Sequence, residues 1–241
     1  MRALLIFFVS LLFGTGGMAM ASEDLLDAGR RLLETAESRF DAQALEKARA
    51  FFDGLARSGT ASPLAAYYRA RISFALANLH AWRKETGEAL RHLDEAIASA
   101  KTAVRLNPQH SDSHRLLGEA YGRLIGLKGG MTGLLYGRRA HNEIALALKL
   151  DPENPRASVA MGIWKLRTPK LFGGDPEEAL RHFHRAIQIE PQSAPARVWL
   201  GVALKEQGRR EEAREALEQA VALQPQNGWA RGELELLGSS R

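Results

Sequence analysis

A chain of 241 residues that is 45% hydrophobic and 25% charged has the balance of an ordinary globular protein, long enough for one large or two ordinary domains. Its formal net charge of +5 comes without any block of five or six like charges, which argues against a nucleic-acid-binding arm or a polybasic membrane patch. The absence of cysteine excludes disulfides, thiol chemistry and a lipid-modified N-terminal cysteine.

In chain order, Met1-Arg2 precedes the apolar stretch ALLIFFVSLLF, and GTGGMAMA follows. A short basic start, an apolar run of about ten residues and the small-x-small ending Ala19-Met20-Ala21 have the layout of a secretory signal peptide over 1–21. The run falls short of the roughly 20 apolar residues of a membrane span. The expectation is therefore a chain cleaved after Ala21 and exported, to the periplasm in a bacterium, and not membrane-spanning after cleavage.

Residues 22–62 read as a degenerate helical hairpin and 63–110 as an extended one. Downstream, the segments AVRLNP, ALKLDP, AIQIEP and AVALQP place prolines at 108, 152, 191 and 225, with spacings of 44, 39 and 34 residues. Such self-similarity marks stacked helical repeats. Hairpins are expected over 111–154, 155–193 and 194–227, with a capping helix and tail over 228–241. Ser111, Asn154, Asp175 and Ser193 sit where N-caps are wanted, and Asp175-Pro176-Glu177-Glu178 adds a first-position proline and a carboxylate at N3.

Residues 194–225, APARVWLGVALKEQGRREEAREALEQAVALQP, resemble a tetratricopeptide repeat. Leu200, Gly201 and Leu204 fill the first-helix positions, Gly208 the turn, and Ala213, Leu217, Ala220 and Pro225 the second-helix positions. The small residues stand where two antiparallel helices must approach closely, and the proline cannot continue a helix. The preceding copies repeat the pattern: Gly162, Ala179, Phe183, Ala186 and Pro191, then Gly118, Ala140, Ile144, Ala147 and Pro152, and more loosely Ala70, Ala96, Ala103 and Pro108. The resemblance implies an all-α, right-handed solenoid of stacked antiparallel hairpins with a C-terminal capping helix.

Against this pattern, IGLKGGMTGLLYGRRA (125–140) carries a ten-residue insertion and LRTPKLFGGDP (166–176) a five-residue one, both between the two helices of their hairpins. Two expanded turns in adjacent repeats are neighbours, and insertions in repeat proteins often map to the binding face, although surface loops also tolerate length at little cost. Met131, Leu134, Leu135, Tyr136, Leu171 and Phe172 are expected to pack on one another and to bring Lys128, Arg138 and Arg139 to the rim of the groove. Gly129 and Gly130 are expected to supply positive φ.

The resemblance also implies a concave groove lined by first-helix residues. Tyr67, Arg71 and Phe74, then Arg115, Glu119 and Arg123, then Val159, Ile163 and Arg167 fall on that wall, as does Arg156. Arginine forks suit carboxylates, so a protein or peptide with acidic and apolar residues is the expected partner; in the opposing reading the arginines are a solvated face and the valines inter-repeat core. Trp164 and Trp199 read as core. No nucleophile with a base and an orienter presents itself, so no enzyme, catalytic residue, metal or cofactor is expected. His110 and His114, four apart, could share a helical face as metal ligands but read as surface histidines without a third ligand, and GLKGGMTG lacks the order of a phosphate-binding loop. Two functions stay open: an exported non-enzymatic scaffold using groove and expanded turns, or a periplasmic small-molecule binding protein or transporter accessory with the insertions as a lid. No nucleic acid is expected, and the oligomeric state is open.

Overall fold

The computed structural model describes residues 22–39, 41–57 and 62–239; the signal-peptide reading falls on 1–21, outside them. Among the described residues there is no strand, and no helix is long and apolar enough to cross a membrane. The chain runs α1 Ser22–Arg39, α2 Ala42–Arg57, α3 Pro63–Trp82, α4 Thr86–Leu106, α5 Ser111–Lys128, α6 Met131–Leu150, α7 Pro155–Arg167, a 3-10 turn at Lys170–Phe172, α8 Pro176–Ile189, α9 Ala194–Glu206, α10 Arg210–Leu223 and α11 Gly228–Ser239. Each odd-numbered helix pairs with the next to make a hairpin, and α1, α3, α5, α7, α9 and α11 stack in succession. The architecture is the expected all-α solenoid, closed by α11.

Helix starts follow the local chemistry. Ser62, Asn154 and Asp175 cap α3, α7 and α8 with side-chain oxygens that accept from backbone N–H groups, and each precedes a proline at the first helical position. Ser193 precedes α9 without a side-chain cap bond. Ser111 is not a cap: His110 holds that place, and Ser111 lies in the first turn, where its hydroxyl donates to the Ala147 carbonyl at 2.9 Å.

Close approach fixes the register of each hairpin. A Cβ at residue 201 would lie 2.6 Å from Leu217 Cγ, one at 162 would lie 2.5 Å from Phe183 Cε1, and one at 118 would lie 2.6 Å from Ile144 Cγ1. The same relation holds in the first hairpin, where a Cβ at 29 would meet Phe52 Cζ at 2.5 Å. Gly29, Ala48 and Phe52 thus take the places of Gly162, Ala179 and Phe183, a register the degenerate sequence left open.

The 166–176 insertion is an expanded turn holding the 3-10 segment, but the longer insertion is not the loop expected. The insertion of 125–139 is almost wholly helical: α5 continues to Lys128, Gly129 and Gly130 alone make the turn with φ of 61° and 50°, and α6 begins at Met131. Helix is the cheaper way to satisfy the inserted backbone groups, because every added residue adds a hydrogen bond. Its apolar residues do not bury one another. Tyr136 packs on Tyr121 with ring centroids 5.2 Å apart, but Met131, Leu134, Leu135, Leu171 and Phe172 all stay exposed. The geometry supplies the reason. Helix α6 packs against α5 and α7 and makes no close approach to α8, so the start of α8 does not cover the apolar residues in the first turns of α6.

Candidate functional site

The wall formed by α3, α5 and α7 gathers Tyr67, Arg71, Arg115, Glu119, Arg123, Val159 and Ile163, but most of its charges are already matched. Arg115 is buried; its Nε donates to Asp112 Oδ1 at 2.7 Å and its Nη1 to Glu119 Oε2 at 2.6 Å. These partners stand three residues before and four after it, the spacing at which side chains meet on a helix. Tyr67, also buried, donates from its hydroxyl to Asp112 Oδ2 at 3.2 Å and accepts from Arg115 Nη2 at 3.4 Å. From α7's cap, Asn154 Nδ2 donates to Asp112 Oδ1 at 3.2 Å and to Ser111 Oγ at 3.0 Å. One polar network therefore ties three consecutive hairpins. Arg71 closes the other side by pairing with Glu37 of α1 and standing 6.0 Å from the centre of the Tyr67 ring.

Charge in this network follows from burial and from Arg115. Burial would raise the Asp112 pKa, but the Arg115 guanidinium and the hydrogen bonds from Arg115 and Asn154 hold it well below the ordinary carboxylate range. Glu119 goes the other way: burial outweighs the pull of Arg115 and pushes it up. Burial disfavours the Arg115 charge too, yet Glu119, Tyr67 and Asp112 keep it protonated.

Two groove cations differ. Among the described residues Arg123 has no ion pair; its Nε is buried with no hydrogen-bond partner, and burial alone pushes its pKa down. Arg156 is exposed at the start of α7 and directs its field at Tyr67, Asp112 and Glu119 without a salt bridge to any. Phe74 follows Tyr67 by seven residues, as Gly122 follows Arg115, so helical register sets Phe74 at the level of Arg123; it is half-buried against the core. Val159 and Ile163 pack into the second half of the core. Arg167 lies farther along, paired with Glu206 at 2.6 Å and 5.4 Å from the centre of the Trp199 ring.

Lys128 and Arg138 stand apart from the groove, exposed at the α5–α6 turn and on α6. The two histidines of α5 are not surface residues. His114 is buried between Glu143 Oε2 at 2.6 Å and the Pro108 carbonyl at 3.0 Å, and His110 is half-buried with its ring edge against Tyr67. The hairpin joint covers them, which spacing along one helix does not reveal. Among the described residues no three His, Cys, Asp or Glu side chains converge as a metal site. Trp164 and Trp199 are half-buried and pack against the core, Trp164 with its ring 4.5 Å from that of His141. Glu37 and Asn154 are the partners that sequence reasoning missed in the network; Asn154 showed only as a cap.

A family model described as Regulator of microtubule dynamics protein 1-3 matches residues 32–231. No curated protein sequence matches the chain. Among solved structures, TTC0263, a thermophilic TPR protein of Thermus thermophilus, is 19% identical, with 90% of this chain and 98% of that one aligned at a TM-score of 0.67. The human IFIT1 dimer with PPP-AAAA is 18% identical, covering 90% of this chain and 46% of that one at a TM-score of 0.67. The HusA haemophore from Porphyromonas gingivalis is 21% identical, covering 94% and 98% at a TM-score of 0.60. These likenesses concern the fold, that of a tetratricopeptide-repeat protein.

Proposed function

We propose, because the chain belongs to the Regulator of microtubule dynamics protein 1-3 family, that this helical-repeat protein is a non-enzymatic scaffold whose concave groove holds a protein or peptide carrying acidic and apolar residues. In this reading it is exported and works in the cell envelope. One observation carries the groove assignment: Arg123, half-buried, has its Nε shut off from solvent without a hydrogen-bond partner and pairs with no carboxylate among the described residues, level with the apolar ring of Phe74. A buried unpaired charge is costly, and a carboxylate supplied by a partner would remove that cost. Arg71, Arg115 and Arg167 are less suited, since Glu37, Asp112, Glu119 and Glu206 already occupy them.

The small-molecule alternative calls for a closed apolar chamber beneath a lid. The cleft lined by Lys170, Gly174, Asp175, Pro176, Glu177 and Gln207 is open and flanked by charge, which favours the scaffold.

A photo-crosslinking residue placed at Ile163, with one on exposed His184 of α8 as control, identifies the partner in intact cells. The purified partner is then titrated against the parent chain and Arg123→Gln. The proposal expects capture from Ile163 and weaker binding by Arg123→Gln; unchanged affinity would sink the groove assignment. Export is tested separately, by the intact mass of native protein from fractionated cells, which should begin at Ser22.

A further inference from the structure

Among the described residues, the six most exposed large hydrophobic side chains are Trp82, Met131, Leu134, Leu135, Leu171 and Phe172, at 59% to 88% exposure. All six belong to three consecutive first-to-second-helix turns: the end of α3, the start of α6, and the 3-10 turn between α7 and α8. Single exposed apolar residues are ordinary, but a cluster of them marks an interaction surface. Stacking of α3, α5 and α7 sets these turns side by side along one edge of the solenoid.

Each turn also carries cations that no carboxylate of the chain neutralises. Among the described residues, Arg83 and Lys84, Lys128, Arg138 and Arg139, and Lys170 take part in no ion pair. Of the nearby acids, Glu85 is engaged with His80 at 2.5 Å and Asp175 in capping α8, while Glu177 lines the same cleft as Lys170 without an ion pair among the described residues. Lys84 adds a conformational sign, because it holds φ of +63° where an ordinary side chain is disfavoured. Strain kept at an exposed tip points to a use for that side chain.

We infer that this edge docks the protein on a lipid bilayer with anionic headgroups, its apolar tips entering the boundary between headgroups and acyl chains. The pairing of indole, phenyl and aliphatic side chains with flanking cations, repeated on each of three tips, is the composition that seats a protein in that interface. A peptide ligand would instead be met by a groove with pockets, and these residues crown separate protruding turns.

The test uses the full chain and exploits its lack of cysteine. An environment-sensitive fluorophore is attached to Leu171→Cys, to Leu135→Cys, or to Gln192→Cys in the α8–α9 connection on the opposite edge of the solenoid. Each is mixed with vesicles of phosphatidylcholine alone or with about one-third phosphatidylglycerol. Labels at 171 and 135 should brighten and shift to the blue with anionic vesicles, while the label at 192 stays unchanged. The combination Lys84→Gln, Lys128→Gln, Lys170→Gln should weaken vesicle binding about a hundredfold, at about a fivefold loss per charge near the surface. Since a label at 171 reports its own surroundings, a membrane contact made by residues 1–21 would leave it unchanged. No response at 171 and 135, equal response at all three positions, or a response that grows with protein concentration without lipid, which assigns the edge to a second copy, would each overturn the inference.

Discussion

Lys84 and Gly208 hold the same place in two hairpin turns. The N–H of Lys84 donates to Ala81 and that of the next residue to His80; the N–H of Gly208 donates to Lys205 and that of the next to Leu204. Both have positive φ, 63° and 77°, the helix-ending geometry in which glycine is preferred. Lys84→Gly should therefore stabilise the fold by about 0.5–1 kcal/mol, the relief of left-handed strain less the entropy of an added glycine. Urea unfolding measures it. The same variant should bind anionic vesicles more weakly, so stability and docking move in opposite directions; a destabilised variant would mean the turn geometry is wrong.

Two glycines four residues apart in α5 should respond with opposite signs. A Cβ at 118 would lie 2.6 Å from Ile144 Cγ1 and 2.9 Å from the Ala140 carbonyl oxygen, whereas one at 122 meets nothing within 4 Å. Gly118→Ala overfills the α5–α6 seam and should cost about 1–3 kcal/mol. Gly122→Ala gains helix propensity and should stabilise by about 0.5–1 kcal/mol. Urea midpoints of the two variants decide it, and equal shifts would contradict the assigned register.

Much of this was legible in the sequence because the repeat pattern is set by close contacts that few residues can make. Gly118, Gly162 and Gly201, with Ala140, Ala179 and Ala213 opposite, announce the hairpins directly. The groove was less legible. Arg71 and Arg115 fall at the expected positions, but Glu37, which neutralises Arg71, lies 34 residues away in the degenerate first hairpin, and no local spacing signals it. The 125–139 insertion was misleading for another reason: five glycines suggest a loop, yet only Gly129 and Gly130 use positive φ, while Gly126, Gly133 and Gly137 lie within helices that tertiary packing holds together. The basic, apolar edge was invisible to a search for charge runs because its cations are spread from Arg83 to Lys170 and only folding brings them to one edge.

Acidification should destabilise the fold between pH 7 and pH 5. Burial pushes His92 below the ordinary imidazole value of 6.5, helped by Arg91, whose guanidinium stands 2.8 Å from Nε2; burial lowers His110 and His182 as well. A folded pKa below the unfolded one means the folded state binds fewer protons. The stability these groups contribute is present above about 6.5 and is lost as pH falls through their folded values. Asp112, held low in the fold, acts with the same sign at lower pH, below about 4. Glu119 is raised, so its contribution is present at low pH and fades as pH rises through its folded value. Urea midpoints should fall from pH 7 to pH 5, more steeply in Glu119→Gln, and the three imidazoles should titrate below 6.5 by NMR. A flat profile in Glu119→Gln would rule out the buried neutral histidines.

Arg115 and Arg123 sit eight residues apart on one helix face and should behave as different kinds of residue. Removing Arg115 leaves Asp112 and Glu119 without their shared cation and Tyr67 without a donor, and the guanidinium they lose is buried, its side chain 6% exposed. Breaking a buried pair from one side costs about 3–5 kcal/mol; since both carboxylates keep some solvent, Arg115→Gln belongs near the lower figure. Glu119→Gln should cost less, because burial has already raised the Glu119 pKa and weakened its hold on the charge. The double variant should show a coupling of about 0.5–3 kcal/mol. Arg123→Gln should leave stability within about 0.5 kcal/mol, since it breaks no ion pair and removes a charge that burial disfavours. Urea unfolding of the four variants measures all of this. A small cost at Arg115 would reassign the network to loosely held surface charge, and a large one at Arg123 would mean its guanidinium supports the fold and is not held free for a partner's carboxylate.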